Sequence, residues 1–368
     1  MDYIIRNTHL IRGLPMSSRS TIEAYKAYTY RRKVMFFTLT LGLMAMVFVS
    51  LSVGSSQVNL SDAFAALLGR SDDITSTILW RIRLPRIIGA VLAGWGLAMG
   101  GVAMQCILHN PLASPYTLGV SQGAAFGAAV ALVILGLGPS GKNENFLAGL
   151  PWGVNMFAFL GAFASTWLIL FLSQRKRLSP EAIVLSGVAL SALATSGTMM
   201  IQYFASDIEV ASIVFWTFGD VGRASWNELL LMVLSIVPAS LFFLLNRWNM
   251  NALAAGDDVA KSLGVNAERL RKMSLTIAAL IAAVAVATFG VIGFVGLVAP
   301  HITRRLVGGD HRHLLPQSCV VGALILLCAD TAARNVMAPI VLPVGIVTSF
   351  MGAPLFLYLL MKGGYGKS

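Results

Sequence analysis

Long apolar runs separated by short polar segments fill most of the chain after residue 33. Each run approaches the roughly 20 residues that an α-helix needs to cross a bilayer. The pattern predicts ten membrane spans, at residues 34–53, 87–107, 118–137, 153–173, 181–204, 226–246, 273–289, 291–307, 314–334 and 344–361. We therefore expect an all-α, polytopic membrane protein. Residues 34–368 would form a single transmembrane domain after a basic tail at residues 1–33.

Composition and charge support this prediction. Of the 368 residues, 57% are hydrophobic and 12% are charged, whereas a soluble domain has about 25% charged residues. With the N-terminus in the cytoplasm, 20 of the 27 Lys and Arg residues fall in the inner segments. This is the positive-inside bias of membrane proteins. An even number of spans places both termini in the cytoplasm, and the net charge of +11 is explained by topology without a nucleic-acid partner.

Glycine spacing predicts close contacts between helices. Gly119, Gly123 and Gly127 share one helix face, and Gly290, Gly293 and Gly296 recur at similar intervals near a predicted span end. Small residues let helix backbones approach closely in lipid. We interpret most of these glycines as packing positions, and a moving interface is an alternative for the second set.

The sequence contains no recognisable catalytic, metal or nucleotide site. Residues 136–143 resemble a phosphate-binding loop, but Asn143 stands where the motif requires Ser or Thr. Three cysteines without CxxC spacing favour buried thiols over a disulfide or zinc site. His311-Arg312-His313 lacks further nearby ligands, so we expect a solvated loop. We predict neither enzymatic activity nor a cofactor in this chain.

Two ionisable residues lie within an apolar run. Asp330 and Arg334 are four residues apart, so they share a helix face and can form an ion pair. Charged groups at membrane depth are costly and usually face protein or water. We expect the pair to orient the end of the ninth span.

The segment 247–272 is unusually polar and is predicted to be cytoplasmic. Asp257 is a candidate N-cap, Asp258 complements the helix dipole, and Gly264 can end the helix. The resulting helix of about seven residues would present Val259 and Leu263 on one face. So short a helix is unstable alone in water and needs a surface on its own protein or on a partner. Asn266 would cap a second helix that continues into the seventh span.

The chain resembles the membrane subunits of ATP-binding-cassette (ABC) importers for iron–siderophores, haem and cobalamin, known as FecCD-like or type II importers. The resemblance runs from about Val58 to Tyr365. It rests on segments that occur in the order of that family: Arg83-Leu84-Pro85-Arg86, residues 100–113, residues 118–124, Ala260-x2-Leu263-Gly264-Val265, residues 293–301, Asp310-His311-Arg312 and Leu342-Pro343-Val344-Gly345.

The resemblance implies a type II ABC importer permease in the cytoplasmic membrane of a prokaryote. It implies two permease subunits, identical or related, around a translocation path, with two copies of an ATPase that holds ATP and Mg. Each permease subunit would dock on an ATPase through residues that form the predicted coupling helix: Gly256, Asp257, Asp258, Val259, Ala260, Leu263, Gly264 and Val265.

The resemblance also assigns outer and membrane positions. Arg83, Arg86 and Arg334 match positions that bind acidic residues of an extracytoplasmic substrate-binding protein. Snorkelling at a span end is the alternative for Arg83 and Arg86, and pairing with Asp330 is the alternative for Arg334. Further motif positions are assigned to structure or translocation: Gln105, Asn110, Pro111, Gly119, Gly123, Gly293, Gly296 and Pro300.

The expected cargo is an iron(III)–siderophore complex, with haem, cobalamin or molybdate as alternatives. A different class of function is an ion-coupled secondary transporter, in which Pro111 and Pro300 break helices and Asp330 carries a proton. A membrane-embedded enzyme is disfavoured, since no reactive cluster converges in the sequence.

Overall fold

The computed structural model describes residues 18–53, 65–66, 72–138, 152–176 and 180–362. Over these ranges every regular element is helical, as predicted. Asn143 of the near-match to a phosphate-binding loop and most of the basic tail lie outside the described residues. The chain divides into two compact units, Met1–Leu41 and Gly42–Ser368. The second unit contains every residue discussed below as a candidate site.

The α-helices of the described residues are, in chain order, α1 (Ser18–Ser52), α2 (Asp73–Thr77), α3 (Leu84–Ile107), α4 (Val120–Ala129), α5 (Gly153–Lys176), α6 (Pro180–Phe204), α7 (Asp207–Thr217), α8 (Trp226–Leu245), α9 (Arg247–Ala254), α10 (Asp257–Ser262), α11 (Ala267–Phe289), α12 (Val295–Val307), α13 (His311–Asn335) and α14 (Val344–Lys362). A π-helical segment, Ile78–Arg83, joins α2 to α3. A second π-helical segment, Val130–Ile134, extends α4, and short 3₁₀ helices lie at Tyr116–Leu118 and Val221–Arg223.

Nine of the ten predicted spans correspond to apolar helices of the described residues. Seven helices are long and apolar enough to cross a membrane, and two shorter apolar helices, Val120–Ile134 and Val344–Tyr358, match the third and tenth predictions. The prediction of a span at residues 291–307 is wrong in extent. Helix α12 has 13 residues and is about 20 Å long, which is less than the roughly 30 Å of a hydrocarbon core.

The chain between α11 and α12 explains the shortened element. Gly290 has φ 79° and Phe294 has φ 64°, so the backbone leaves the right-handed helical region at both ends of this stretch. Positive φ is rare for a bulky side chain, so the break at Phe294 could not be predicted from its residue type. Arg304 and Arg305 occupy the last turn of α12.

Close backbone contacts hold the centre of the bundle together. Helices α3, α11 and α13 are the most buried candidate spans. A Cβ on Gly94 would collide with the backbone of Gly322 in α13, and one on Gly101 would collide with the carbonyl of Gly296 in α12. Glycine is required at these crossings because any side chain would separate the helices.

The predicted packing role of the first glycine set is confirmed for two of its members. A Cβ on Gly123 would lie 2.5 Å from the carbonyl oxygen of Gly161 in α5, and Gly127 packs against the backbone of Phe157. Gly119 instead precedes α4 with φ 76°. It therefore turns the chain from the 3₁₀ helix into α4.

Helix α7 lies between predicted spans and was missed, as were α2 and α9. Helix α7 follows a capping box in which the Ser206 backbone N–H donates to Glu209 Oε2 at 2.8 Å. The spacing of Ser206 and Glu209 is a sequence signal for a helix start. The span prediction overlooked it because 11 residues are too few to cross a bilayer.

Candidate functional site

The predicted coupling helix is present as α10. Gly256 is its N-cap with φ 119°, and Gly264, with φ 77°, follows its last turn. Both conformations favour glycine because a side chain is strained there. Asp257 is the first helical residue, so its prediction as the N-cap is wrong by one position. Asn266 caps α11 as predicted, accepting a hydrogen bond from the Arg269 backbone N–H at 2.9 Å.

Helix α10 has one buried and one exposed apolar face. Ala260 is fully buried, whereas Val259 is 42% exposed and Leu263 is 66% exposed. The Val265 backbone N–H donates to the Ala260 carbonyl at 2.9 Å and closes the end of the helix. The protein therefore supplies one docking surface for this short helix and leaves Val259 and Leu263 available for another.

An ion pair connects the start of α10 to α11. Arg271 Nη2 lies 2.9 Å from Asp257 Oδ1 and 3.0 Å from Oδ2. His109, which follows α3, places Nε2 at 3.9 Å from Asp257 Oδ1. A single carboxylate therefore faces residues of two core helices, an arrangement that the sequence did not predict.

A second polar cluster connects α9 to the start of α13. Asn251 Nδ2 donates to Asp310 Oδ1 at 2.8 Å, and Asn251 Oδ1 accepts from the His311 backbone N–H at 2.8 Å. Arg312 makes three side-chain contacts with Asp310, at 2.6, 2.9 and 3.1 Å, and its guanidinium lies 4.4 Å from the centroid of the Trp248 ring. Burial opposes ionisation of Asp310, but hydrogen bonds from Arg312 and Asn251 hold its pKa well below its usual value.

This cluster corrects the prediction for the paired histidines. His311 and His313 lie in the first turn of α13, and His311 is only 3% exposed. The prediction of a solvated loop is therefore wrong for His311, because Asn251 holds its backbone and ring against the bundle. Within the described residues, no group of three His, Cys, Asp or Glu side chains is placed to hold a metal ion.

The opposite end of the bundle contains a buried charge cluster formed by Asp330, Arg86, Arg334 and Asp220. Asp330 is fully buried. Arg86 Nε donates to Asp330 Oδ1 at 2.9 Å, and Arg334 Nε lies 3.3 Å from Asp330 Oδ2. Arg86 Nη2 is also 3.5 Å from Asp220 Oδ1. The predicted Asp330–Arg334 pair is confirmed, whereas Arg86 and Asp220 were not predicted to join it.

The three predicted docking arginines are buried. Arg83, Arg86 and Arg334 are 3%, 9% and 7% exposed. Arg334 donates to Ser50 Oγ at 2.5 Å, and Arg83 donates to the Leu51 carbonyl. Both cations thus interact with the C-terminal end of α1, where the helix dipole favours positive charge. The snorkelling alternative is wrong, because Asp73–Ile107 is continuously helical and Arg83 and Arg86 point into the protein.

The remaining motif positions lie inside the bundle or in its connections. Gln105 is 4% exposed and its Nε2 donates to the Leu297 carbonyl at 3.5 Å. Asn110 Oδ1 accepts from the Leu112 backbone N–H at 2.8 Å, which stabilises the turn that contains Pro111. Pro300 is buried within α12, and Gly293 precedes that helix. These contacts give the motif residues structural roles. The part that these residues play in translocation stays a prediction.

A small open cavity lies beside the break between α11 and α12. Its volume is about 300 Å³, and its lining includes Phe218, Val291 and Ser349. The lining is mostly apolar, with hydroxyl groups from Thr217 and Ser349. A cavity of this size is at the lower limit for small-molecule pockets, so this cavity does not hold a bulky chelate.

A family model described as the FecCD transport family matches residues 42–362. The chain belongs to this family. The match begins at the same residue as the second compact unit, Gly42. The FecCD permease is 48% identical over 340 residues to the "Putative ABC transporter permease protein MJ0087" of Methanocaldococcus jannaschii, covering 92% of this chain and 97% of the relative.

Two further comparisons connect the FecCD permease to transport. It is 36% identical to the hemin transport system permease protein HmuU of Yersinia pestis, covering 88% of this chain and 96% of the relative. A solved structure described as "An inward-facing conformation of a putative metal-chelate type ABC transporter" superposes with TM-score 0.77 at 32% identity, over 90% of this chain and 99% of that one. The chain is thus a polytopic membrane permease subunit of an ABC importer, and its relatives are transporter subunits rather than enzymes.

Proposed function

We propose that this FecCD permease forms half of the path by which an iron(III)–siderophore complex crosses the cytoplasmic membrane of a prokaryote. A second permease subunit completes the path, an extracytoplasmic binding protein delivers the chelate, and ATP and Mg act on two separate ATPase subunits. The main support is that α10 is attached to the core by Ala260 and Asp257 while Val259 and Leu263 stay exposed.

The geometry favours this proposal over ion-coupled transport. Asp330, the candidate proton carrier, lies between Arg86 and Arg334 and is fully buried. A carboxylate held by two cations is poorly placed to exchange a proton with water. An apolar pair exposed on a short helix is instead suited to a protein partner, since burial of such side chains drives association.

The ATPase proposal is tested by Val259→Asp combined with Leu263→Asp. Two carboxylates at the contact would be desolvated without counter-charges, so we expect the ATPase to be lost during purification in mild detergent. The control is Val336→Asp with Ile340→Asp, because these side chains are 72% and 64% exposed and lie at the opposite end of the molecule. The measurement is the ratio of ATPase to permease by quantitative mass spectrometry.

Two outcomes would contradict the proposal. In one, the wild-type chain purifies without any protein that carries nucleotide-binding motifs, even after crosslinking. In the other, the double mutant keeps as much ATPase as the control pair, which would show that these two side chains do not form the contact.

The identity of the cargo is tested separately by uptake into proteoliposomes that contain the permease, its ATPase and its binding protein. The probes are an iron(III)–hydroxamate chelate, haemin and cyanocobalamin. We expect ATP-dependent uptake of the iron(III) chelate. Haem is the second candidate because a relative of 36% identity is named for hemin transport, and preferential uptake of haemin would replace the siderophore proposal without affecting the ATPase proposal.

A further inference from the structure

Two adjacent carboxylates begin α10, but they have different surroundings. Asp257 contacts Arg271 Nη2 with both oxygens, at 2.9 and 3.0 Å. The side chain of Asp258 is fully exposed, and its contact is Lys261 Nζ of the same helix at 3.8 Å. Asp257 therefore reaches the rest of the molecule, whereas Asp258 does not.

The partners of Asp257 adjoin buried helices of the bundle. Arg271 lies in the second turn of α11, between the buried side chains of Leu270 and Leu275. His109 follows the last turn of α3 and approaches the same carboxylate at 3.9 Å. Because α3 and α11 pack against each other, a force applied to Asp257 acts on the core of the bundle.

The chain that connects α10 to its neighbouring helices passes through a glycine on each side, so it links α10 to the core less directly than the ion pair does. Gly256 precedes the helix with φ 119°, and Gly264 follows it with φ 77°. A Cβ added at either position would meet no atom within 4 Å, so no other part of the protein packs against that side of these turns. Glycine is also the most conformationally permissive residue. The chain on both sides of α10 is therefore suited to absorb a displacement, whereas the ion pair is suited to transmit it.

The Asp257–Arg271 ion pair contributes too little to the free energy of unfolding for stability to be its main role. Asp257 is 42% exposed and Arg271 is 22% exposed at the side chain, and such pairs contribute about 1 kcal/mol or less. Its geometry is nevertheless specific, because one guanidinium nitrogen contacts both carboxylate oxygens. The contact fixes the position of α10 relative to α11.

We propose that the Asp257–Arg271 pair transmits displacement of α10 to α11, with Asp257 and Arg271 as positioning residues. This inference rests on the proposed function, in which a bound ATPase moves α10. It assigns a mechanical role to one contact within the coupling loop and separates that role from attachment of the ATPase. The exposed pair Val259 and Leu263 attaches the partner, and Asp257 conveys its movement.

The test compares Asp257→Asn, Arg271→Gln and the exchange Asp257→Arg with Arg271→Asp. Asp258→Asn is the matched control, because it removes the same charge from the first turn of α10 without affecting the contact to α11. An environment-sensitive fluorophore is attached at Met273→Cys in α11, where the native side chain is 40% exposed. Cys106 and Cys319 are buried, so Cys328→Ala suffices to remove competing labelling.

The complete permease–ATPase complex is studied in proteoliposomes, with ATP as the only added ligand. The readouts are the amount of bound ATPase, its hydrolysis rate and the ATP-driven change in fluorescence. We expect Asp257→Asn and Arg271→Gln to keep the ATPase but to reduce the fluorescence change about threefold or more. For each bound ATPase, Asp258→Asn should keep the wild-type change in fluorescence, and the charge exchange should restore at least half of that change.

Three results would overturn the inference. Asp257→Asn and Arg271→Gln could match Asp258→Asn in fluorescence, which would show that the pair transmits nothing. The exchange could fail to restore the signal although each single variant lowers it, which would assign the loss to other contacts. If the ATPase is lost from Asp257→Asn alone, Asp257 attaches the partner rather than transmitting movement. Failure of the wild type to bind an ATPase would instead refute the proposed function.

Discussion

Asp330 is fully buried, and its two oxygens face Arg86 and Arg334 from different directions. Burial of three charges is costly, and mutual attraction offsets that cost only while all partners are present. The cluster therefore makes this end of the bundle dependent on one carboxylate. Asp220, at 3.5 Å from Arg86 and with a side chain 36% exposed, is a peripheral member.

We predict that Asp330→Asn destabilises the protein by about 3–5 kcal/mol, because Arg86 and Arg334 lose their shared counter-charge in a buried site. Asp220→Asn is the matched control. It should cost about 1 kcal/mol or less, since a partly exposed pair is weak and Asn can still accept the Gly222 backbone N–H. Chemical unfolding in detergent micelles measures both, and equal small losses would show that the cluster is unimportant for stability.

At this scale the sequence predicted local contacts better than distant ones. The Asp330–Arg334 pair followed from a separation of four residues in a helix. Arg86 is 244 residues from Asp330 in sequence, and no local pattern connects the two. The same limit hid the Asp257–Arg271 pair, because these residues lie 14 positions apart in two different helices.

Helix α3 approaches α12 and α13 closely because glycines, which have no side chain, lie where these helices cross. Gly101 contacts the carbonyl of Gly296, and Gly94 contacts the backbone of Gly322. In lipid, where no hydrophobic force draws helices together, such close approach supplies much of the attraction. Glycine spacing in the sequence identified packing faces, but it could not say which helices meet, since partners are set by the fold as a whole.

We predict that Gly101→Ala destabilises the bundle by about 1–3 kcal/mol, because its Cβ would force α3 away from the Gly296 carbonyl. Gly42→Ala is the control, since nothing lies within 4 Å of its Cβ. In a helix interior that change should be neutral or stabilising by up to about 1 kcal/mol. Thermal unfolding of both purified variants tests the difference, and a Gly101→Ala protein as stable as Gly42→Ala would refute the packing argument.

Across the whole molecule, the candidate contacts for two partners lie at opposite ends. The segment of residues 247–272, which is proposed to contact the ATPase, lies at one end, and the buried charge cluster around Asp330 lies at the other. Composition and charge bias predicted which end faces the cytoplasm, and that orientation stays a prediction. They could not show that the three outer arginines are buried, since side-chain orientation depends on partners from distant segments.

We predict that Arg83→Gln weakens association with the extracytoplasmic binding protein, most strongly at low ionic strength, where charge attraction is least screened. Arg81→Gln is the control, because Arg81 is an exposed cation two residues away. Binding of the extracytoplasmic protein to each immobilised variant, measured at two salt concentrations, compares the two substitutions. If both substitutions weaken binding equally, Arg83 contributes only as part of the overall positive charge. If Arg83→Gln has no effect on binding, the role of Arg83 is limited to its contact with α1.

Helix α3 has a further consequence for communication between those ends. It is about 36 Å long, with Arg86 near its start and His109 just beyond its end. One continuous helix thus connects Arg86, which contacts Asp330, to His109, which approaches Asp257. A tilt of α3 at one end would therefore displace the group at its other end. A single helix therefore links the two ends of the permease at which partners are proposed to bind.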